Sequence, residues 1–120
     1  MRIWTKTKVV EQYIASCIII QRATETGEYR KSNREQAKLI SAYRWLEKHL
    51  GEAEEALGEL LCNDNPVVQT KAAAHCLSLA IKKTDALEVL RRVSKRTDIW
   101  GFNAEKVLEV YAQNGKLKVY

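Results

Sequence analysis

Leu60-Leu61-Cys62-Asn63-Asp64-Asn65-Pro66-Val67-Val68-Gln69-Thr70-Lys71-Ala72-Ala73 is the stretch whose reading decides the fold. It reads as the end of one apolar helix, a tight polar turn and the start of a second helix. Asn65 suits an N-cap, because its side-chain oxygen can accept from the unpaired N–H groups of a first turn. Pro66 then takes the first helical position, where a missing N–H costs nothing. Ala72 and Ala73 allow close approach of a neighbouring helix. The pattern predicts a helical hairpin of the kind that recurs in repeat scaffolds.

Working outward, the periodicity predicts six helices. The first runs from about Thr5 to Thr26, with Val9, Val10, Tyr13, Ile14, Cys17, Ile18 and Ile20 on a broad apolar face and Gly27 as its stop. Ser32 and Glu35 read as a capping box opening the second helix. That helix buries Leu39, Ile40, Tyr43, Leu46 and Leu50 and closes at Gly51. A third covers roughly Glu52 to Cys62, and a fourth Pro66 to about Lys82. A fifth is capped near Asp85 and Glu88, and the sixth spans Asp98 to Asn114, stopped by Gly115. Trp4 and Trp100 stand at helix starts as core plugs, and a short tail, Lys116–Tyr120, follows.

Leu57 and Leu60 recur as Leu87 and Leu90, thirty residues on. Ala73, Cys76, Leu77 and Leu79 recur as Ala104, Val107, Leu108 and Val110, thirty-one residues on. A period of this size means stacked helix pairs burying their faces on one another. The expectation is therefore an all-α fold, a short α-solenoid of three stacked helical hairpins in a single domain over residues 1–120. A four-helix bundle is the competing arrangement for a short helical chain. The repeat stack is preferred because the correspondence runs through both helices of each pair.

Composition narrows the function classes. The chain has 120 residues, 46% apolar and 29% charged, which suits one globular core of modest size. No segment approaches the ~20 apolar residues of a membrane span. Met1-Arg2-Ile3-Trp4-Thr5-Lys6 leads into charged helix and not into a signal core, so the expected location is cytoplasmic, with no membrane partner. Cys17, Cys62 and Cys76 lie in apolar helical runs and are expected as buried, reduced thiols. Neither they nor His49 and His75 have the spacing of a metal site or of a nucleophile and base. The expectation is a chain that is not an enzyme and takes no cofactor. The net charge of +5 is mild, and its excess lies in residues 61–120, where ten basic residues meet six acidic ones. That balance raises the prior for an acidic partner or nucleic acid.

Leu60-Leu61, Pro66, Val68 and Ala72-Ala73 resemble the turn and second helix of HEAT-like repeats. The position that is basic in those repeats is Gln69 here, with Lys71 nearby. The layout from Lys38 to Lys118, with Asn65-Pro66-Val67-Val68, the Ala72-Ala73-Ala74 run and Ala104-Glu105-Lys106-Val107-Leu108, is similar to a family of short bacterial HEAT-like proteins of unassigned function. Members of that family resemble toxin-immunity proteins of the contact-dependent growth inhibition type. The resemblance implies an immunity protein that binds and neutralises a cognate toxin C-terminal domain. The implied partner is a nuclease, an RNase of the EndoU type being one candidate. The alternatives are a nucleic-acid-associated HEAT-like protein, for which the Arg91-Arg92-Val93-Ser94-Lys95-Arg96 run is the handle, and a generic helical scaffold. Nucleic acid is the less expected partner, because that run has no interleaved aromatics and no base-reading motif.

The expected docking surface comes from the repeat. Lys71, His75, Ser78 and Lys82 form a polar stripe on the fourth helix. The shift of thirty-one carries His75, Ser78 and Lys82 onto Lys106, Glu109 and Gln113. Equivalent helices of stacked repeats lie side by side, so both stripes are expected to make one continuous surface. Trp45, opposite the buried stripe of its helix and beside Lys38, Ser41 and His49, is added as an anchor.

Overall fold

A computed structural model describes residues 4–117, which form six α-helices and, among the described residues, no strand. The amino-terminal reading of Met1–Ile3 and the last three residues of the tail lie outside the described residues. The chain divides into two compact units, Met1–Ala56 and Leu57–Tyr120.

In the first unit, α1 (Lys6–Thr26) packs against α2 (Tyr29–Lys48). Thr5 caps α1 by accepting from the Lys8 N–H at 3.2 Å. Gly27, at φ 77°, ends it, and the following Glu28 N–H reaches back to the Ala23 carbonyl. That pairing satisfies carbonyls otherwise orphaned at a helix end, and a left-handed residue is what permits it. Val9, Tyr13, Cys17, Ile20 and Ala23 form the buried stripe of α1, and Leu39, Ala42, Tyr43 and Leu46 that of α2. Between the two stripes lies a polar chain. The Ser16 hydroxyl accepts from Gln12 Nε2 at 2.8 Å and donates to the Glu35 carboxylate at 3.1 Å, and Lys38 Nζ meets the same carboxylate at 2.8 Å.

Glu35 is thus a buried α2 residue and not half of a capping box. The helix begins earlier, at Tyr29, without a side-chain cap. Tertiary burial of a carboxylate that found a hydroxyl and an ammonium outcompeted the local cap. Gly51 likewise does not close α2. That helix ends at Lys48, and Gly51 lies in the first turn of α3 (Leu50–Leu61).

The second unit holds the end of α3 together with α4 (Pro66–Leu79), α5 (Lys83–Val93) and α6 (Ile99–Asn114). Asn65 Oδ1 accepts from the Val67 and Val68 N–H groups at 2.8 and 3.3 Å, with Pro66 at the first helical position, as the sequence implied. α4 stops three residues short of Lys82. Ala80 takes a left-handed conformation at φ 59° while the Ile81 N–H returns to the Cys76 carbonyl. α5 starts straight from Lys82, itself left-handed at φ 46°, so Asp85 lies inside its first turn and is not a cap. α6 begins after Asp98, whose carboxylate accepts from the Gly101 N–H at 3.1 Å. α4 packs against both α5 and α6, and α5 against α6.

Candidate functional site

α4 supplies the unit's core. Every residue from Ala72 to Leu77 is buried, as are Val67 and Val68. Six consecutive positions cover the whole circumference of a helix, so the middle of this one has no solvent stripe to offer. His75 is accordingly not a surface contact. It is fully buried, and burial, with the nearby Lys71 charge adding to it, lowers its pKa to about 3, so the ring is neutral near pH 7. Lys71 and Ser78 are half-buried.

Lys82 is not on α4 at all. Its stem lies over Gly58 of α3, where a methyl group would meet its Cε at 3.1 Å. From there it lines a groove of about 550 Å³ with Cys62, Asp64, Asp85, Glu88 and Arg92. Cys62 is exposed on the rim, contrary to the buried thiol expected of it, because α3 ends at Leu61 and leaves Cys62 in the turn. Cys17 and Cys76 are buried, and burial pushes the Cys76 thiol up to about 12. No group of His, Cys, Asp or Glu among the described residues converges closely enough to hold a metal ion.

The sixth-helix half of the expected surface is exposed. Taking 100° per residue, Ile99, Phe102, Glu109, Val110 and Gln113 all fall within about 60° of Lys106 on α6. All six are exposed. Lys106 Nζ lies 3.4 Å from Glu109 Oε2 and 5.2 Å from the centre of the Phe102 ring, a geometry that suits cation–π attraction. Three of the five large apolar side chains most exposed among the described residues are on this stripe: Ile99 at 52%, Phe102 at 56% and Val110 at 42%.

Helical period alone places Lys106, Glu109 and Gln113 on this stripe, whereas the repeat match of Val110 to Leu79, which is half-buried, hid its apolar members. The available signal was phase. Phe102 and Val110 stand one turn either side of Lys106, so a helix that exposes the lysine exposes both.

The corner leading into α6 is tightly built. Arg96 clamps Asp98, with Nε at 3.2 and 3.1 Å from its two carboxylate oxygens and Nη2 at 2.6 Å from Oδ2. This ion pair, with help from the Gly101 N–H, holds the Asp98 carboxyl below its usual range. Buried Gly101 abuts the Arg96 carbonyl so closely that no Cβ would fit. Arg91, Arg92 and Lys95 are exposed and form no ion pair among the described residues.

Trp45 belongs to the first unit. It is half-buried and stacks on His49, with ring centres 4.1 Å apart and planes 14° apart. His49 Nδ1 is 2.8 Å from the Trp45 carbonyl. A carbonyl can only accept, so Nδ1 carries the proton and Nε2 is the ring's other nitrogen.

No family model, curated protein or solved structure matches this chain.

Proposed function

We propose that the chain is a protein-binding module with a HEAT-like helical scaffold, and that it acts as a cytoplasmic immunity protein. It neutralises a cognate bacterial toxin domain, a nuclease of the EndoU RNase kind, by stoichiometric docking. The observation that carries the binding reading is the outer face of α6, where Ile99, Phe102 and Val110 stand exposed among Lys106, Glu109 and Gln113. An apolar strip edged by charges of both signs has the composition of a protein interface: large side chains to bury and a polar rim to fix register. The narrower toxin reading is supported by the resemblance of the Leu60–Ala73 hairpin and the Ala104–Leu108 segment to short bacterial HEAT-like proteins. Contact between α4 and α6 is what side-by-side second helices of two hairpins would make.

Inhibition on this reading is steric and electrostatic, without turnover. The test is co-expression with the toxic C-terminal domain encoded by the neighbouring gene. Survival that depends on this chain, and is lost in Phe102→Ser/Val110→Ser with an unchanged helical circular-dichroism signal, is the expected result. Equal killing with and without the chain overturns the toxin reading. Full protection by the double variant moves the docking face off α6.

A further inference from the structure

Resting on the protein-binding reading above, we infer that the surface received by α6 is acidic as well as apolar, and that the corner between α5 and α6 is the part of this chain that recognises it. Two observations meet there. Arg91, Arg92 and Lys95, at the end of α5, are exposed cations with no ion pair among the described residues. Just beyond them, Ile99 and Phe102 stand more than half exposed on the first turns of α6.

Most of the remaining local charge is engaged, and Glu105, exposed on α6, is one carboxylate against three cations. Arg96 is held by Asp98, and Lys106 by Glu109. The corner and the stripe together therefore keep a positive surplus, with Arg91, Arg92 and Lys95 set against Glu105. Asp85 and Glu88 lie further back along α5 and line the groove whose edge Arg92 also forms, so Arg91 and Lys95 are the two of these three cations that stand clear of that groove.

The corner is also preorganised. The Arg96 clamp, the Asp98 cap and the contact of Gly101 with the Arg96 backbone fix where α6 leaves α5. Ser94 holds the last turn through its hydroxyl, 2.7 Å from the Arg91 carbonyl. Exposed cations and exposed apolar side chains thus flank a fixed turn, which reduces the ordering that binding must otherwise impose.

The apolar component selects a protein over a nucleic acid. Phosphates would satisfy the three cations, and a base could stack on Phe102. Neither offers anything to bury Ile99 and Val110, and Glu109 would meet a phosphate unfavourably. A protein surface bearing carboxylates around aliphatic side chains satisfies all of these groups at once.

The probes are a synthetic amphipathic helical peptide, with glutamates on one face and leucines on the other, and a single-stranded RNA of equal net charge. Each is titrated with the full chain by fluorescence anisotropy, at about 50 and about 200 mM salt, the range in which purely phosphate-driven binding collapses. The peptide is expected to bind and to retain measurable affinity at the higher salt. Arg91→Gln/Arg92→Gln/Lys95→Gln and, separately, Ile99→Ser/Phe102→Ser should each weaken it about tenfold or more, the scale of losing a few interface contacts. Circular dichroism checks that both variants stay folded.

Peptide binding that ignores either set of substitutions overturns the inference. RNA binding that exceeds peptide binding and ignores Ile99→Ser/Phe102→Ser also overturns it, in favour of a phosphate surface. The toxin reading fails separately. Peptide binding with both dependences but no protection from the toxin upholds the corner and removes the immunity role. Full protection by the Gln triple variant upholds that role and removes the acidic partner.

Discussion

Gly58 and Gly101 both lie inside helices, and a methyl group added at each meets very different neighbours. At Gly58 it meets only the far end of the Lys82 side chain, at 3.1 Å, which can swing toward the groove. Gly58→Ala should therefore realise the helix-propensity gain of about 1 kcal/mol, read as a higher urea midpoint with the slope unchanged. At Gly101 the methyl overlaps the Arg96 backbone carbonyl, which cannot move without shifting the corner. Overpacking of about 1–3 kcal/mol outweighs the same propensity gain, so Gly101→Ala should lower the midpoint. A stabilised Gly101→Ala protein would mean that the α5–α6 corner is looser than its contacts indicate. Ala80 gives the converse case. At φ 59° it holds a conformation that glycine adopts without a Cβ penalty, and Ala80→Gly should raise stability by roughly 1 kcal/mol at most, since glycine's greater unfolded-state freedom opposes the gain.

Among the elements, α1 and α2 are joined by more than apolar contact. The Ser16 hydroxyl links Gln12 to the buried Glu35 carboxylate. Ser16→Ala removes the hydroxyl donor and leaves a nearly buried carboxylate with fewer partners, a loss of about 1–3 kcal/mol. Pairing it with Glu35→Gln, in a double-mutant cycle followed by chemical denaturation, isolates the coupling. Strictly additive effects would show that the hydrogen bond contributes nothing of its own. The start of α4 is simpler, because one side chain serves two amides. Asn65→Ala should cost about 1 kcal/mol, and Asn65→Asp, which keeps the acceptor and adds a favourable charge at a helix N-terminus, should cost little or nothing.

The pH dependence of global stability belongs to the whole molecule. His75 is buried neutral, its pKa lowered by burial to about 3 from the ordinary 6.5 of an imidazole. Between those values the unfolded chain binds a proton that the folded chain refuses, so stability rises with pH across this window and is lost on acidification. Taking the unfolded value as 6.5, lowering the pH from 7 to 5 should remove about 2 kcal/mol. The measurement is the guanidinium midpoint at both pH values for the native chain and for His75→Leu. The variant should lose this part of the slope whatever its absolute stability. An unchanged slope would place the acid sensitivity in groups other than His75.

The helix count and several boundaries were legible in the sequence because they depend on contacts a few residues apart. Asn65 as a cap, Pro66 at a first position, helix starts near Thr5 and Asp98 (which the structure shows to be the caps themselves), and Gly27 and Gly115 as stops all act within one turn of themselves. Boundaries decided by distant partners were not legible. Ser32 and Glu35 had the spacing of a cap, yet Ser16, from another helix, drew Glu35 inward. Ala80 ended α4 with no glycine to announce it. The candidate surface divides the same way. Lys106, Glu109 and Gln113 share a face by helical period alone, whereas the exposure of that face, and the burial of His75 at the equivalent position of α4, depend on how many sides of each helix are covered. A repeat shift conserves phase along the chain, but solvent exposure is set by the packing around each helix.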